Sequence, residues 1–507
     1  MLSSLSQYGA PAETGHGPQR TASRWSRFSN WLAVCAPDWP LPVYAVALFY
    51  LVLPILLSLL YIRLLSALPH GFVNFEMLVI GAAGVFLPRT AVFLLLALDA
   101  LADCAYSVCY TYQFSVSDLL ESLRFVSVLP RSRLIAGCVV VTAAMLICAA
   151  LALVRPQRKH RLHTAGALLA LTAILLPIDI LDGQNSLWHK DVSFFSIRVA
   201  RSPLLTLGVR ALQADRTEFA ARRAENEPMA SASAQMDSAL GAFAGGARAP
   251  DVVLVVVESW GLPLDPSLAR ALTAPYASAA IAHSYRVTYG TAPFTGLTVP
   301  GEARELCHST MGFGIMDISA EAARQCLPDE LDARGYESFA LHGYVGEMFY
   351  RDSWYRGLGF DHAWFGPDLR QAGLPRCGGA FPGVCDGAIA KFIGSSLLDS
   401  SQRRPRFIYW VTLNSHLPVP ARPQLSADNS CAATPALSGS AALCSWFRLV
   451  RAVHQSVSQV AAQRARPTVF ILVGDHAPPF ADPRLRSQFS ASQVPYVMLT
   501  PASLPPR

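Results

Sequence analysis

Four stretches of the chain end in side chains that can do chemistry, and a fifth carries a hydroxyl between turn residues. "DVVLVVVESWG" (251–261) delivers Glu258, and "YESFALHG" (336–343) delivers His342. "RFIYWVTLNSH" (406–416) delivers His416, and "TVFILVGDHAPPF" (468–480) the pair Asp475 and His476. "PFTGLTVPGEARELC" (293–307) holds Thr298. Glu258, Asp475 and His476 offer two carboxylates and an imidazole. Three protein ligands that leave one position open describe a catalytic divalent-metal site. Zinc fits this set, and manganese or magnesium also suits its carboxylates. The set lacks a nucleophile, and Thr298 is the candidate. A free threonine hydroxyl is a poor nucleophile, but coordination to a metal lowers its pKa. Pro300 marks the first turn of a helix. The N–H groups and positive dipole end of that helix favour an anionic group such as phosphate. Gly296 and Gly301 let backbone and substrate approach closely. Glu302 acquires no role on these grounds.

The elements that must position these residues are strands. The run before Glu258 is continuously apolar and rich in valine, as expected of a strand buried on both faces. The runs before His342, His416 and Asp475 follow the same grammar, and "PYVMLT" (495–500) reads as a last strand. Helical stretches fall between them at about 319–334, 383–398 and 441–464. This alternation predicts an α/β fold with a doubly wound, mostly parallel sheet. In such sheets the ligand crevice lies outside the carboxyl ends of the strands. A single histidine at a strand end is usually an ordinary turn residue. Four strand ends that all carry metal-binding or acid–base groups point to one shared site.

In this order, "VVVESWG", "GLTVPGE", "NSH" and "GDHAPPF" resemble the motifs of the alkaline phosphatase superfamily. Apolar spans followed by an exported domain look like lipoteichoic acid synthases and phosphoethanolamine transferases within it. The resemblance covers 251–507 by motif and 40–250 by topology alone. It implies one divalent metal held by Glu258, Thr298, Asp475 and His476, with Thr298 as nucleophile. It also implies that His416 binds the substrate or leaving group. His342, from its own strand end, is assigned to the substrate side of the same site. "FYRDSWYRGLGFD" (349–361) is similar to the lipoteichoic acid synthase segment that carries a substrate-binding aromatic and an arginine. Phe349 and Arg351 are the matching positions, and an arginine fork suits phosphate. Sulfatases share the fold, but their nucleophile lies in a C/S-x-P-x-R motif. Here the run is Thr298-Val-Pro-Gly-Glu302, and threonine cannot become formylglycine. The activity implied is transfer of a phospholipid head group, phosphoglycerol or phosphoethanolamine, through a phosphothreonine intermediate. The donor would be phosphatidylglycerol or phosphatidylethanolamine, and the acceptor a glycan or glycolipid of the cell envelope. A phosphodiesterase of the same fold and a catalytically silent lipid-binding regulator are the alternatives. The regulator reading is weakened because every ligand position is filled.

The first half of the chain argues for a membrane. Apolar residues make up 52% of the sequence and charged residues 15%, and the apolar excess lies before residue 182. Five segments are apolar enough to be spans: about 42–63, 72–88, 91–112, 133–154 and 164–181. Asp99, Asp103, Asp179 and Asp182 fall in or near them, the last two close to an interface. Arg20, Arg24, Arg27, Arg89 and the cluster "RPQRKHRLH" (155–163) share one side if there are five spans, and positive charge marks the cytoplasm. The polar first 40 residues argue against a cleaved signal peptide. The expected organisation is therefore a cytoplasmic segment 1–40, a five-span domain 41–182, a connector 183–248 and a catalytic domain 249–507. The catalytic domain would lie outside the inner (cytoplasmic) membrane of a bacterium, in the periplasm or its equivalent. Residues 191–213 suit helices lying on the membrane surface or a packed linker, and "ASASAQMDSALGAFAGGARAP" (230–250) a flexible joint. Cys307, Cys326, Cys377, Cys385, Cys431 and Cys444 form an even set, as in disulfides of an exported domain. Neighbour pairing is favoured among their 15 connectivities. The net charge of +6 includes no basic run of the kind that binds nucleic acid.

Overall fold

A computed structural model describes residues 40–67, 71–112, 116–181, 198–208, 228–241, 249–399, 404–419, 431, 434–437, 439–480 and 482–502. The N-terminal arginines, Asp182 and most of the connector lie outside the described residues.

Among the described residues, four helices are long and apolar enough to cross a membrane, with the first running on to Leu65 and the last measured from Arg158. They are α1 (Val43–Leu60), α3 (Arg89–Tyr112), α4 (Arg131–Leu153) and α5 (Arg161–Leu181). The segment expected as a second span is built differently. It consists of strand β1 (Gly71–Asn74) followed by α2 (Phe75–Gly84), a helix of 10 residues. That helix is only about 15 Å long, half the thickness of a bilayer core.

The backbone groups of a buried strand need partners. β1 finds them by pairing in parallel with β2 (Arg198–Arg201) from the connector. Arg201 then enters the bundle and is fully buried. Its Nε and Nη2 donate to the two carboxylate oxygens of Asp103 at 2.5 and 2.7 Å, and its Nη2 also donates to Ser58. A third donor, Nη1, reaches the Gly71 carbonyl. Asn74 caps α2 by accepting from the Met77 amide and donates to Asp99 at 2.7 Å. The two aspartates inside the third expected span therefore anchor the β1–β2 pair.

Two contacts gather three connections at one end of the bundle. Pro40–Leu41 pairs with Arg155–Pro156, and Arg155 donates to the Leu87 carbonyl at 2.6 Å. Outward-facing side chains such as Leu98, Leu146 and Ile174 are apolar and exposed, as on a lipid-facing surface.

The second half is built on a seven-stranded sheet. Its strands are β3 (Asp251–Val257), β4 (Tyr285–Pro293), β5 (Glu337–His342), β6 (His362–Trp364), β7 (Arg406–Val411), β8 (Thr468–Gly474) and β9 (Gln493–Pro501). They lie in the order β4-β9-β8-β3-β7-β5-β6. The five strands from β8 to β6 are parallel, and β9 and β4 add an antiparallel edge. β3, β7 and β8 are buried at every residue, which is why their sequences are continuously apolar. Register fixes the site. Val411 pairs with both Val256 and His342, and Val256 pairs with Val473, so these strands end in one row.

Helices α6 (Thr298–Cys307), α7 (Arg351–Gly357), α8 (Asp386–Phe392) and α9 (Ala441–Ala462) cover the sheet. Disulfides join Cys307 to Cys326, Cys377 to Cys385 and Cys431 to Cys444, the neighbour pairing expected. The expectation of a flexible joint fails for residues 228–241. Ala232, Met236 and Ala239 are buried in the core of the sheet domain. The amides of Ala232 and Ser233 donate to the Glu305 carboxylate, which ties this segment to α6.

Candidate active site

Glu258 follows the last residue of β3 and is buried. Its amide donates to Thr412 Oγ1 at 2.9 Å, and its carbonyl accepts from the Ser415 hydroxyl at 2.6 Å. Both partners come from the end of β7. Ser259 then turns left-handed, with φ at 56°. That conformation is costly for a residue other than glycine, and three bonds hold it. Its amide donates to Asp475 Oδ1 at 2.7 Å, its hydroxyl donates to Glu258 Oε1 at 2.7 Å, and its carbonyl accepts from Trp446 Nε1 at 2.8 Å.

Thr298 is the first residue of α6, and Leu297 occupies the cap position in an extended conformation. The threonine hydroxyl caps nothing. It donates to Glu258 Oε2 at 3.1 Å. Gly296 allows this arrival with φ at +69°. At Gly301 a side chain would have to fit 3.1 Å from Asp475 Cβ, so glycine lets the first turn of α6 pack directly on the β8 end.

Asp475 is fully buried, and its Oδ1 accepts from the amides of Ser259 and His476, both at 2.7 Å. Among the described residues its Oδ2 has no hydrogen-bond partner. His476 donates from Nδ1 to the Ala477 carbonyl at 2.9 Å, which leaves Nε2 to face the carboxylates. Nε2 lies 3.4 Å from Asp475 Oδ2 and 3.6 Å from Glu258 Oε1. Among the described residues these three form a group whose ligand atoms all lie within 4.8 Å of one another. Bonds of about 2.1 Å in tetrahedral geometry put ligand atoms about 3.4 Å apart, so the distances from His476 Nε2 to the two carboxylates suit a divalent ion. So do the orphaned Asp475 oxygen and the fixed imidazole tautomer. Burial, and then the charge of Glu258, push the Asp475 carboxyl up to about 7. The carboxylates of Asp475 and Glu258 raise His476 against the effect of burial. Two buried acids facing one imidazole are electrostatically incomplete without a cation.

The remaining expected residues fall around this group. His416 turns Nδ1 to the Leu417 carbonyl at 2.7 Å and packs its ring 4.7 Å from that of Phe381. Burial, followed by the charge of His476, lowers it to about 4, and Arg133 from the start of α4 adds to the effect. His342 is buried, bonded through Nδ1 to the Val411 carbonyl at 3.1 Å, and lowered to about 3 by burial and then by Arg351.

Arg351 is less free than its sequence context suggests. It is buried, and its Nε and Nη2 donate to Glu302 Oε1 at 2.9 and 2.6 Å. Glu302, which had no role in the sequence, accepts four bonds: two from Arg351, one from Tyr355 at 2.7 Å and one from Tyr409 at 3.1 Å. It sits one turn after Thr298 and ties the nucleophile helix to α7 and β7. Phe349 and Tyr350 are both left-handed, with φ at 58° and 50°, and the Phe349 ring lies 5.2 Å from the Arg351 guanidinium. Arg304, also unnoticed, pins α6 to the β8 end by donating to the Gly474 carbonyl at 2.7 Å. Sequence offered no signal for Glu302, Ser259 or Arg304 beyond their nearness to Thr298 and Glu258.

Comparison with known proteins assigns a family to the second half of the chain. The Sulfatase family model matches residues 250–507. No curated protein matches the sequence. Among solved structures, the chain is similar to a protein of the alkaline phosphatase superfamily from Vibrio parahaemolyticus, with 16% identity and a TM-score of 0.35. That match covers 52% of this chain but only 62% of the Vibrio protein, less than two thirds of its length. Lipoteichoic acid synthase LtaP from Listeria monocytogenes matches with 13% identity over 54% of this chain and 72% of that one, with a TM-score of 0.35. The phosphoglycerol transferase GacH from Streptococcus pyogenes, in complex with sn-glycerol-1-phosphate, matches with 13% identity, 53% and 73% coverage and a TM-score of 0.32.

Proposed function

The chain belongs to the sulfatase family of the alkaline phosphatase superfamily, and on that premise we propose that it is a membrane-bound transferase of phospholipid head groups. Phosphatidylglycerol or phosphatidylethanolamine is the donor, and a glycan or glycolipid of the cell envelope is the acceptor. The observation that carries this reading is the Thr298 hydroxyl, bonded to Glu258 within the Glu258–Asp475–His476 group at a helix N-terminus. A nucleophile so placed attacks phosphorus rather than sulfur here. Sulfatase chemistry needs a formylglycine, which threonine cannot supply. Glu302 also stands where the sulfatase pattern has arginine, with its carboxylate fully occupied.

Glu258, Asp475, His476 and Thr298 would hold one divalent metal, zinc or manganese with magnesium also admissible, which lowers the hydroxyl pKa and polarises the phosphoryl group. Thr298 Oγ attacks the donor phosphorus in line, and the diacylglycerol oxygen leaves. The head-group phosphate remains on Thr298, cradled by the first-turn amides of α6. An acceptor hydroxyl then displaces it. Over the cycle one proton passes from the acceptor hydroxyl to the diacylglycerol oxygen. His416 is the group placed to carry it, because its lowered pKa keeps it a neutral acceptor at pH 7. Arg351 and Phe349 border the head group. Catalysis of this kind is mostly positioning and charge stabilisation.

The three disulfides support an oxidising compartment for the second half. We place the catalytic domain outside a bacterial inner membrane and the N-terminus in the cytoplasm. The test is full-length protein in vesicles of head-group-labelled phosphatidylglycerol or phosphatidylethanolamine, with and without a glycolipid acceptor. Wild type should release diacylglycerol and Thr298→Ala should not. Equal release by both would sink the reading. Free labelled head-group phosphate in place of labelled acceptor would make the enzyme a phosphodiesterase.

A further inference from the structure

The loop between α3 and α4 belongs by sequence to the membrane domain. One of its side chains is nevertheless buried in the catalytic domain. Residues Leu123–Val128 form a short 3₁₀ helix, and Phe125 on it is 3% exposed. Its neighbours Leu120, Leu123 and Val126 stay exposed on the other side, at 60%, 57% and 40%. Phe125 is therefore the buried anchor of this stretch in the catalytic domain, with Val128 and Leu129 packed beside it, partly buried.

What it touches is the strained part of the site. The Phe125 ring lies 5.1 Å from the ring of Phe349 and 4.8 Å from that of Tyr350. These are the two consecutive left-handed residues. Bulky side chains rarely adopt that conformation, and it persists only where surrounding structure holds it. Phe313, whose ring is 5.8 Å from that of Phe349, packs beside it. A second contact runs in parallel, as the Tyr344 hydroxyl donates to the Val128 carbonyl at 2.8 Å. The left-handed pair leads directly into Arg351, which is bonded to Glu302, one turn from Thr298. A continuous line of contacts thus joins the membrane loop to the nucleophile helix.

We propose that Phe125 is a positioning residue of the active site, through which the α3–α4 loop holds the Phe349–Tyr350 turn in its left-handed form and so fixes Arg351 and Glu302. The site is complete only when the membrane domain is docked. This deepens the transferase reading and rests on it for the kinetic part alone.

The test uses full-length protein in phospholipid vesicles and four forms: wild type, Phe125→Ala, Phe125→Leu and Tyr344→Phe. Hydrogen exchange at the amides of residues 349–354 needs no substrate, so it reads the proposal even if the transferase reading is wrong. Phe125→Ala should speed exchange there at least tenfold and leave the β3, β7 and β8 amides unchanged. Phe125→Leu should restore most of the protection, and Tyr344→Phe should fall between. Where wild type transfers head groups, the KM for lipid should rise with the loss of protection more than kcat falls. Unchanged exchange at 349–354 in both Phe125→Ala and Tyr344→Phe overturns the proposal. If Phe125→Ala does not fold, Phe125→Leu and Tyr344→Phe decide it by the same readout. An active wild type with an unaltered KM in the variants overturns the link to substrate.

Discussion

Alanine at Gly301 tests how closely the nucleophile helix must approach the ligand strand. The added methyl would lie 3.1 Å from Asp475 Cβ, 3.2 Å from its Cα and 3.4 Å from its carbonyl oxygen. Comfortable contacts between carbon atoms are about 3.5–4.0 Å. Helix and strand end must therefore separate by about 0.5 Å. Neither side yields freely. Arg304 pins α6 to the Gly474 and Pro293 carbonyls at 2.7 and 3.0 Å, and two amides hold Asp475 at 2.7 Å. Overpacking of this kind costs about 1–3 kcal/mol. Alanine gains about 1 kcal/mol over glycine inside a helix, so the net loss should be about 0–2 kcal/mol. The protein should fold. Its rate should suffer more, because a 1 Å misplacement near the chemistry can cost about 10²-fold. Half that displacement predicts a loss of about tenfold in kcat. Melting curves of Gly301→Ala with diacylglycerol release would read the two effects separately. A normal melt with a normal rate would refute the tight fit of α6 on Asp475. A rate lost only in proportion to unfolded protein would refute the positional argument.

Two further outcomes follow from buried charge. Asp103→Asn should destabilise the membrane domain by about 3–5 kcal/mol, because it leaves the Arg201 guanidinium uncompensated. The double change Asp103→Leu with Arg201→Met should cost much less, and thermal unfolding in detergent would compare the two. For the metal site, the Asp475 carboxyl titrates near 7 in place of its ordinary 3.8. Ligation requires the carboxylate, so divalent-metal affinity should climb as the pH rises through 7, with proton release measurable by calorimetry. The sign of the linked stability is opposite. With its pKa raised, the metal-free fold loses stability as the pH rises from about 4 to 7, and added metal should restore it. Asp475→Asn should flatten both trends.

The parts of the fold that were legible are the parts buried on both faces. β3, β7 and β8 read directly as apolar runs, and their carboxyl ends place Glu258, His416 and Asp475 with His476 at one edge. β4 was missed because "YRVTYGTAP" mixes exposed and buried positions at a sheet edge. The helix expected over 319–334 is two helices, Ala320–Ala323 and Leu327–Ala333. Cys326 between them is extended, tied to Cys307, and followed by Pro328 in the next first turn. Residues 383–384, expected as helix, are instead a strand paired with Arg376–Cys377, in line with the Cys377–Cys385 bond. Hydropathy marked residues 72–88 as apolar but not their form, because a strand paired with β2 and a short helix carry the same apolar signal as a span. In the site, the candidate ligands were readable from local motifs. Glu302 and Phe125 were not, since their roles depend on contacts 49 residues and over 200 residues away, to Arg351 and Phe349.

The central claim is that Thr298 carries the head-group phosphate. Full-length protein incubated with phosphatidylglycerol or phosphatidylethanolamine vesicles and no acceptor, quenched in acid and digested, can be read by tandem mass spectrometry over residues 293–307. The account predicts a phosphoglycerol or phosphoethanolamine mass addition on Thr298, reduced when acceptor is added and absent from Asp475→Asn. Turnover of the donor with Thr298 never modified, or an adduct fixed on another residue, would contradict it.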